Sequence, residues 1–187
     1  MATITVTASS DVVDSGDQII SLREAVGLAN ASSDADTIMF DASLAGQTIT
    51  LTGGQLALTQ DVVIDGDVNG DDKADITISG NGASRIFDIT GGTTDADLNS
   101  LTLTSGTASG GGLVQAKSIG SLDVMDVTFS NGAASVNGGA LFVGYTPTFS
   151  ISNSTFIGNS AGLGGGAISV KGGTGTIANT TISGNTS

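Results

Sequence analysis

The chain has 187 residues with 29 Gly, one Pro, no Cys, no His and no Trp, and a formal net charge of -13. Five Lys plus Arg against 18 acidic residues leave no basic patch for nucleic-acid phosphates, so DNA or RNA binding is excluded as an expectation. With aromatics at 4% and apolar residues at 39%, a wide aromatic core is ruled out, while a narrow aliphatic core suits one domain of this length.

The N-terminus, Met1-Ala2-Thr3-Ile4, begins directly in strand-like sequence, without the charged and apolar regions of a signal peptide. No stretch reaches the roughly 18 apolar residues of a membrane span. The absence of Cys fits export as an unfolded chain and fits the cytoplasm equally well. Ser21-Leu22-Arg23-Glu24 has capping-box spacing, and Leu22, Ala25, Val26 and Ala29 follow as one apolar stripe. This predicts a helix of about ten residues ending near Asn30. Laid across the open end of a repeat array, such a helix would hide strand edges and core, so its expected role is a cap. Arg23 is expected to pair at the surface with a nearby carboxylate.

The sharpest chemical feature is DGDVNGDDKAD, at positions 65–75, which crowds Asp65, Asp67, Asp71, Asp72 and Asp75 together. Asp67, Asn69, Asp71 and Asp75 occupy positions 1, 3, 5 and 9 of a D-x-[DN]-x-D-x-x-x-D pattern. Alternate side chains in such a loop turn toward one hard cation. Ca²⁺ takes about six to eight oxygens, and the Lys73 carbonyl with waters would complete the set. Position 6, commonly Gly, is Asp72, which enters the left-handed region less readily. Asp65 is either a further ligand or outside the loop. The bland alternative is a solvated acidic turn between Val62-Val63-Ile64 and Ile76-Thr77-Ile78, but neighbouring carboxylates repel unless a cation intervenes.

From Ile76 onward the chain repeats. Thr77-Ile78-Ser79-Gly80-Asn81 returns as Thr181-Ile182-Ser183-Gly184-Asn185, and drifted copies centre on Leu103, Phe129 and Phe156, a period of about 26 residues. Gly111-Gly112-Leu113, Gly138-Gly139-Ala140 and Gly165-Gly166-Ala167 run in phase with it, each at the same point of its repeat. Large apolar and small polar residues alternate, which places one face of each strand in a core. Gly, Asn and Ser between them accept positive φ at corners. Each repeat is too small to bury its apolar face alone and must stack on its neighbours. The expected fold is all-β: a right-handed parallel β-helix of about 26 residues per turn and six or seven turns, with Phe129, Phe156 and Ile182 stacked inward. It forms a single domain over 1–187, with an N-terminal cap over about 1–45, the loop insertion at 65–75 and regular rungs over about 76–187. The chain stops in mid-pattern at Ser187, which reads as a piece of a longer protein.

The stretch ISLREAVGLAN resembles the N-terminal signature of bacterial CSLREA-domain proteins, with Ile20 in place of the cysteine. FSNGAASVNGGALFV and FIGNSAGLGGGAISV resemble the GGA(I/L/V) and FxxN repeats of polymorphic outer-membrane proteins. The acidic loop resembles the calcium loops of FG-GAP, integrin and thrombospondin repeats. These resemblances imply a β-helix at or beyond the cell surface.

The remaining candidates are weaker. Asp123 and Asp126 flank Val124-Met125 and, in one strand, would point to opposite faces. Tyr145 beside Thr146-Pro147 reads as a loop tip. The expected function is a non-catalytic, Ca²⁺-stabilised structural or adhesive module of an exported bacterial surface protein. Its partner would be a glycan or protein on a host or neighbouring cell, and its open C-terminal rung offers end-to-end self-association. One alternative is a polysaccharide lyase or hydrolase, for which the chain offers no His, no Trp and one Tyr. The other is ice binding, suggested by Thr48-Ile49-Thr50 and Leu101-Thr102-Leu103-Thr104; because the Thr-x-Thr pair does not recur in every repeat, no extended threonine array is expected.

Overall fold

The computed structural model describes residues 1–14, 16–145 and 148–187. The chain winds as a parallel β-solenoid with three long sheets running along it. The first face has seven strands: Thr3–Val6, Asp36–Phe40, Val62–Asp65, Asp95–Asn99, Ser121–Met125, Thr148–Ser152 and Thr174–Ala178. The second has six: Thr48–Thr50, Ile76–Ser79, Leu101–Thr104, Thr128–Ser130, Thr155–Ile157 and Thr181–Ser183. The third has five: Leu56–Leu58, Phe87–Ile89, Val114–Lys117, Leu141–Gly144 and Ile168–Lys171. A short fourth face of three strands, Thr107–Gly110, Ala133–Asn137 and Ser160–Ala161, separates the second from the third in the later turns.

Along the first face Asp36 meets Val62, Asp95 meets Ser121, Ser121 meets Thr148 and Thr148 meets Thr174, which sets the ordinary length of a turn. Two turns are longer. Thr3 pairs with Thr37 across the helix, and Val62 pairs with Ala96 across the acidic loop. These two insertions correct the turn count. The expected six or seven turns are about five complete ones, because the chain between Thr3–Val6 and Asp36–Phe40 carries the helix Leu22–Ala31 in place of further strands.

Alternation sets the core. Ile38, Ile64, Leu98, Val124 and Ile151 on the first face meet Ile49, Ile78, Leu103, Phe129 and Phe156 on the second, and all are at most 1% exposed. The Phe129 and Phe156 rings stack with centroids 4.4 Å apart and planes 4° from parallel. Ile182 continues this column in register but is 51% exposed, since no described strand lies beyond it. Asparagines continue the stacking at the adjoining corner. Asn159 Nδ2 donates to the Phe129 carbonyl and to Asn185 Oδ1, Asn185 Nδ2 donates to the Phe156 carbonyl, and the Gly132 N–H donates to Asn159 Oδ1. Buried amides are thereby satisfied where no strand ladder reaches them.

The phased glycine pairs have two separate causes. Gly111, Gly138 and Gly165 have φ of 60°, 66° and 64°. At Gly112 a Cβ would collide with the Gly139 carbonyl, and at Gly139 with that of Gly166.

The helix spans Leu22–Ala31, with the full capping box between Ser21 and Glu24 in place. Its apolar stripe, Leu22, Ala25, Val26 and Ala29, is buried against Thr3–Val6, Asp36–Phe40 and Leu56–Leu58, the first strands of the solenoid. Arg23 is more than the surface partner expected. Its Nε and Nη2 donate to the two oxygens of Asp11 at 2.8 and 2.9 Å, and Nη2 also donates to the Gly54 carbonyl at 2.6 Å. Asp11 Oδ2 accepts from the Thr52 and Gly53 N–H groups at 2.6 and 2.8 Å, and its side chain is 0% exposed. Burial pushes the Asp11 carboxyl up, but the hydrogen bonds from Arg23, Gly53 and Thr52 outweigh it and hold the group below the ordinary range.

Two outcomes follow for stability. Phe156→Ala should lower unfolding free energy by about 3 to 5 kcal/mol in urea titration, the usual size for emptying a buried aromatic site; a loss under about 1 kcal/mol would contradict the stacked core. Asp11→Ala should cost about 2 kcal/mol at neutral pH, since it takes the counter-charge from Arg23 and the acceptor from the Thr52 and Gly53 N–H groups. Because the folded Asp11 titrates below its unfolded value, its contribution is present above the ordinary carboxylate range and lost as pH falls through the lowered folded value. The gap between wild type and variant should therefore narrow in acid.

Candidate metal centre

The acidic loop leaves the first face at Asp65 and enters the second at Ile76, so it lies on the corner between them. Its base is clamped by backbone. The Gly66 N–H donates to the Asn99 carbonyl of the next turn at 3.0 Å, and the Asp75 N–H donates to the Gly66 carbonyl at 3.2 Å. The ends are therefore fixed by the strands on either side, and the intervening residues are free to curl.

Asp67 organises the curl. Its Oδ1 accepts from the N–H groups of Asn69, Gly70 and Asp71 at 3.0, 2.7 and 3.3 Å, and its Oδ2 from Asp72 at 2.9 Å. Those bonds, the one from Asp72 foremost, hold the Asp67 carboxyl below the ordinary range and so keep it an anion. Gly70 and Asp72 take left-handed φ of 81° and 59°. Asp72 thus adopts the conformation that the residue type was expected to resist. Asp75 Oδ2 accepts from the Val68 N–H at 3.1 Å and from Asn69 Nδ2 at 2.9 Å.

The result is that carboxylate oxygens of Asp67, Asp71 and Asp75 lie within 4.8 Å of one another, and among the described residues no other group of three His, Cys, Asp or Glu does so. The donors are all oxygen, which suits a hard cation and not a soft one. The other two expected ligands sit differently. Asn69 turns its amide nitrogen toward Asp75, so ligation would need the amide rotated to present Oδ1. Lys73 is placed by its side chain, whose Nζ pairs with Asp71 Oδ2 at 2.9 Å; that pair raises the Lys73 pKa. Asp65 is not part of the trio. Its Oδ1 accepts from the Asp67 N–H at 3.1 Å, and burial pushes its carboxyl up.

No family model, curated protein or solved structure matches the chain. The resemblances to CSLREA-domain proteins, polymorphic outer-membrane proteins and FG-GAP loops therefore rest on the quoted residues alone.

The structure forms a carboxylate pair that the sequence did not suggest. Asp123 is not matched with Asp126, which lies past the strand end with φ of 56°. It stands directly opposite Asp97 of the preceding turn, with Asp95 on the same strand as Asp97. Separation by a whole turn hid this pairing until register was known. Burial, then Asp123 and Asp95, push the Asp97 carboxyl up. Tyr145 sits just beyond the Leu141–Gly144 strand with φ of 62°, and Lys117 Nζ and Lys171 Nζ each lie 5.7 Å from its ring centroid. Thr146 and Pro147, the rest of the expected loop tip, fall outside the described residues.

Like charges directly opposite on neighbouring strands destabilise a sheet. A folded Asp97 that titrates above its unfolded value favours the native state only when protonated, and that contribution is lost as pH rises through the raised folded value. Asp97→Asn should therefore raise stability at neutral pH by about 0.5 kcal/mol, the size of a cross-strand pair. The gain should disappear below the ordinary carboxylate range, as followed by thermal melts at both pH values.

Proposed function

We propose that the chain is a non-catalytic structural and adhesive module of an exported bacterial surface protein, stabilised by Ca²⁺ in the 65–75 loop. The observation that carries this reading is the convergence of Asp67, Asp71 and Asp75 on a loop whose two ends are clamped to the solenoid. Three carboxylates held that close repel one another, and a divalent cation among them turns the repulsion into attraction. Ca²⁺ suits the loop better than Mg²⁺, which demands a stricter octahedron and sheds water reluctantly. Asn69, after rotation of its amide, and the Lys73 carbonyl would fill further positions, with the Lys73 ammonium leaving Asp71 as the cation enters.

The wider role draws on the shape of the repeat array. A solenoid presents long faces whose residues vary while the winding stays the same, which suits contact with a glycan or protein on another cell. At a cell surface the loop would meet external Ca²⁺, for which modules of this kind bind in the range of about 10⁻⁴ to 10⁻³ M. No helix among the described residues is long and apolar enough to cross a membrane.

Calorimetric titration tests the metal directly. A cation that binds the native loop alone adds RT ln(1 + [Ca²⁺]/Kd), about 1 kcal/mol at millimolar Ca²⁺ for an external-type site. Chelation should lower Tm by a few degrees and leave the β circular dichroism intact, because burial holds the neighbouring turns. The double variant Asp67→Ala, Asp71→Ala should lose both the heat of binding and the Ca²⁺-dependent shift. Absence of binding by the wild type at millimolar Ca²⁺ would reduce the loop to an acidic turn.

A further inference from the structure

The second face carries a pattern that the repeat-by-repeat reading of Thr-x-Thr did not foresee. Strand register places Thr48, Thr77, Thr102, Thr128, Thr155 and Thr181 in one unbroken column of six threonines. Two positions along each strand runs a second column, Thr50, Ser79, Thr104, Ser130, Ile157 and Ser183, in which five of six positions carry a hydroxyl. The apolar residues between the columns, Ile49, Ile78, Leu103, Phe129 and Phe156, point into the core, so both columns point outward. The expectation that no extended threonine array exists is thus corrected, because the first Thr recurs in every turn even where the second position changes.

From this we infer that the second face is an ice-binding surface. Stacked strands repeat at about 4.8 Å and alternate residues along a strand at about 6.7 Å, a rectangular mesh close to the oxygen spacings on the prism faces of hexagonal ice. Each threonine offers one hydroxyl and one methyl, and its β-branch restricts χ1, so the hydroxyl positions are set before contact. A single hydroxyl gains little by exchanging one water for another. Many preset hydroxyls engaging one lattice together gain affinity through multivalency and lose little order on binding.

Two further observations select a neutral, ordered partner. Among the described residues none of the six threonine hydroxyls hydrogen-bonds to another protein group. In the second column Ser130 Oγ donates to Thr104 Oγ1 at 2.9 Å, so that column is partly self-satisfied and the threonine column makes the main contact. The strands of this face carry no Asp, Glu, Lys or Arg, on a protein whose net charge is -13. Charge complementarity therefore points away from ions and charged polymers and toward an uncharged lattice. Thr77 of the column lies only two residues from Asp75 of the acidic cluster, but the threonine hydroxyls need no metal, so chelation should leave the face working.

The test is partition of the purified, fluorescently labelled protein into a slowly growing ice hemisphere, with thermal hysteresis measured alongside, both in EDTA. The wild type should concentrate in the ice and shape single crystals along prism planes. Thr102→Tyr and Thr128→Tyr, whose bulk stands proud of the mesh, should stay in the liquid with unchanged circular dichroism. If either fails to fold, Thr102→Ser with Thr128→Ser removes only methyls and rotamer restraint and should partition more weakly. Asp123→Asn on the first face should partition like the wild type. Exclusion of the wild type from the ice front overturns the inference, as does equal partition of folded face variants. Co-sedimentation with crystalline cellulose or chitin without ice partition would likewise assign the face to another lattice.

Discussion

Everything in this molecule depends on parallel stacking of successive turns at strand spacing. One turn is too thin to enclose its own apolar side chains, so each strand takes its hydrogen bonds from the turns before and after it. Residues in corresponding positions are then forced into columns. Columns dictate residue type: at the corner after the first face Ser100, Asp126, Asn153 and Asn179 all take left-handed φ between 51° and 56°. Three of the four are Asn or Asp, the non-glycine residues that reach this region most readily. Where one turn's backbone passes closest to the next, only glycine fits, as at Gly112 and Gly139.

The same stacking makes the solenoid tolerant of insertion between strands. Register widens at the cap and at the acidic loop, yet the strands on either side still pair directly. An insertion whose ends are held a rung apart needs no core of its own. The 65–75 loop can therefore specialise for charge, curling around the Asp67 carboxylate, while the neighbouring turns carry the burial. The cap uses its insertion for the opposite purpose. Its helix buries Leu22, Ala25, Val26 and Ala29 on the first turn, and the Asp11 to Arg23 pair ties the flanking segment to Thr52, Gly53 and Gly54.

Columns also multiply whatever chemistry they contain. An inward column stacks Phe129 on Phe156 and adds aromatic contact to burial. An outward one sets Asp97 against Asp123, where repetition of like charge has a cost. Another repeats threonine across the whole second face. One geometric rule therefore yields core, electrostatic tension and a periodic surface, and the side chains in the column decide which.

Much was legible in the sequence by itself, and for a local reason. The repeat period, the alternation of Ile76-Thr77-Ile78, the capping box of Ser21 and Glu24 and the spacing of Asp67, Asp71 and Asp75 are each written within a short segment or in a near-constant step, so periodicity and turn chemistry suffice to read them. Only the tertiary structure decided how many complete turns form, because that depends on which segments leave the ladder. It alone decided that Arg23 meets Asp11 under the loop at 52–54, that Asn69 turns its nitrogen toward Asp75, and that Asp123 faces Asp97 and not Asp126. The step between corresponding positions is not constant, being shorter from Ile76 to Leu101 than from Val62 to Ala96, so equivalence across turns is fixed by which backbone groups bond and not by counting. A shift of a single position would have turned the threonine column inward.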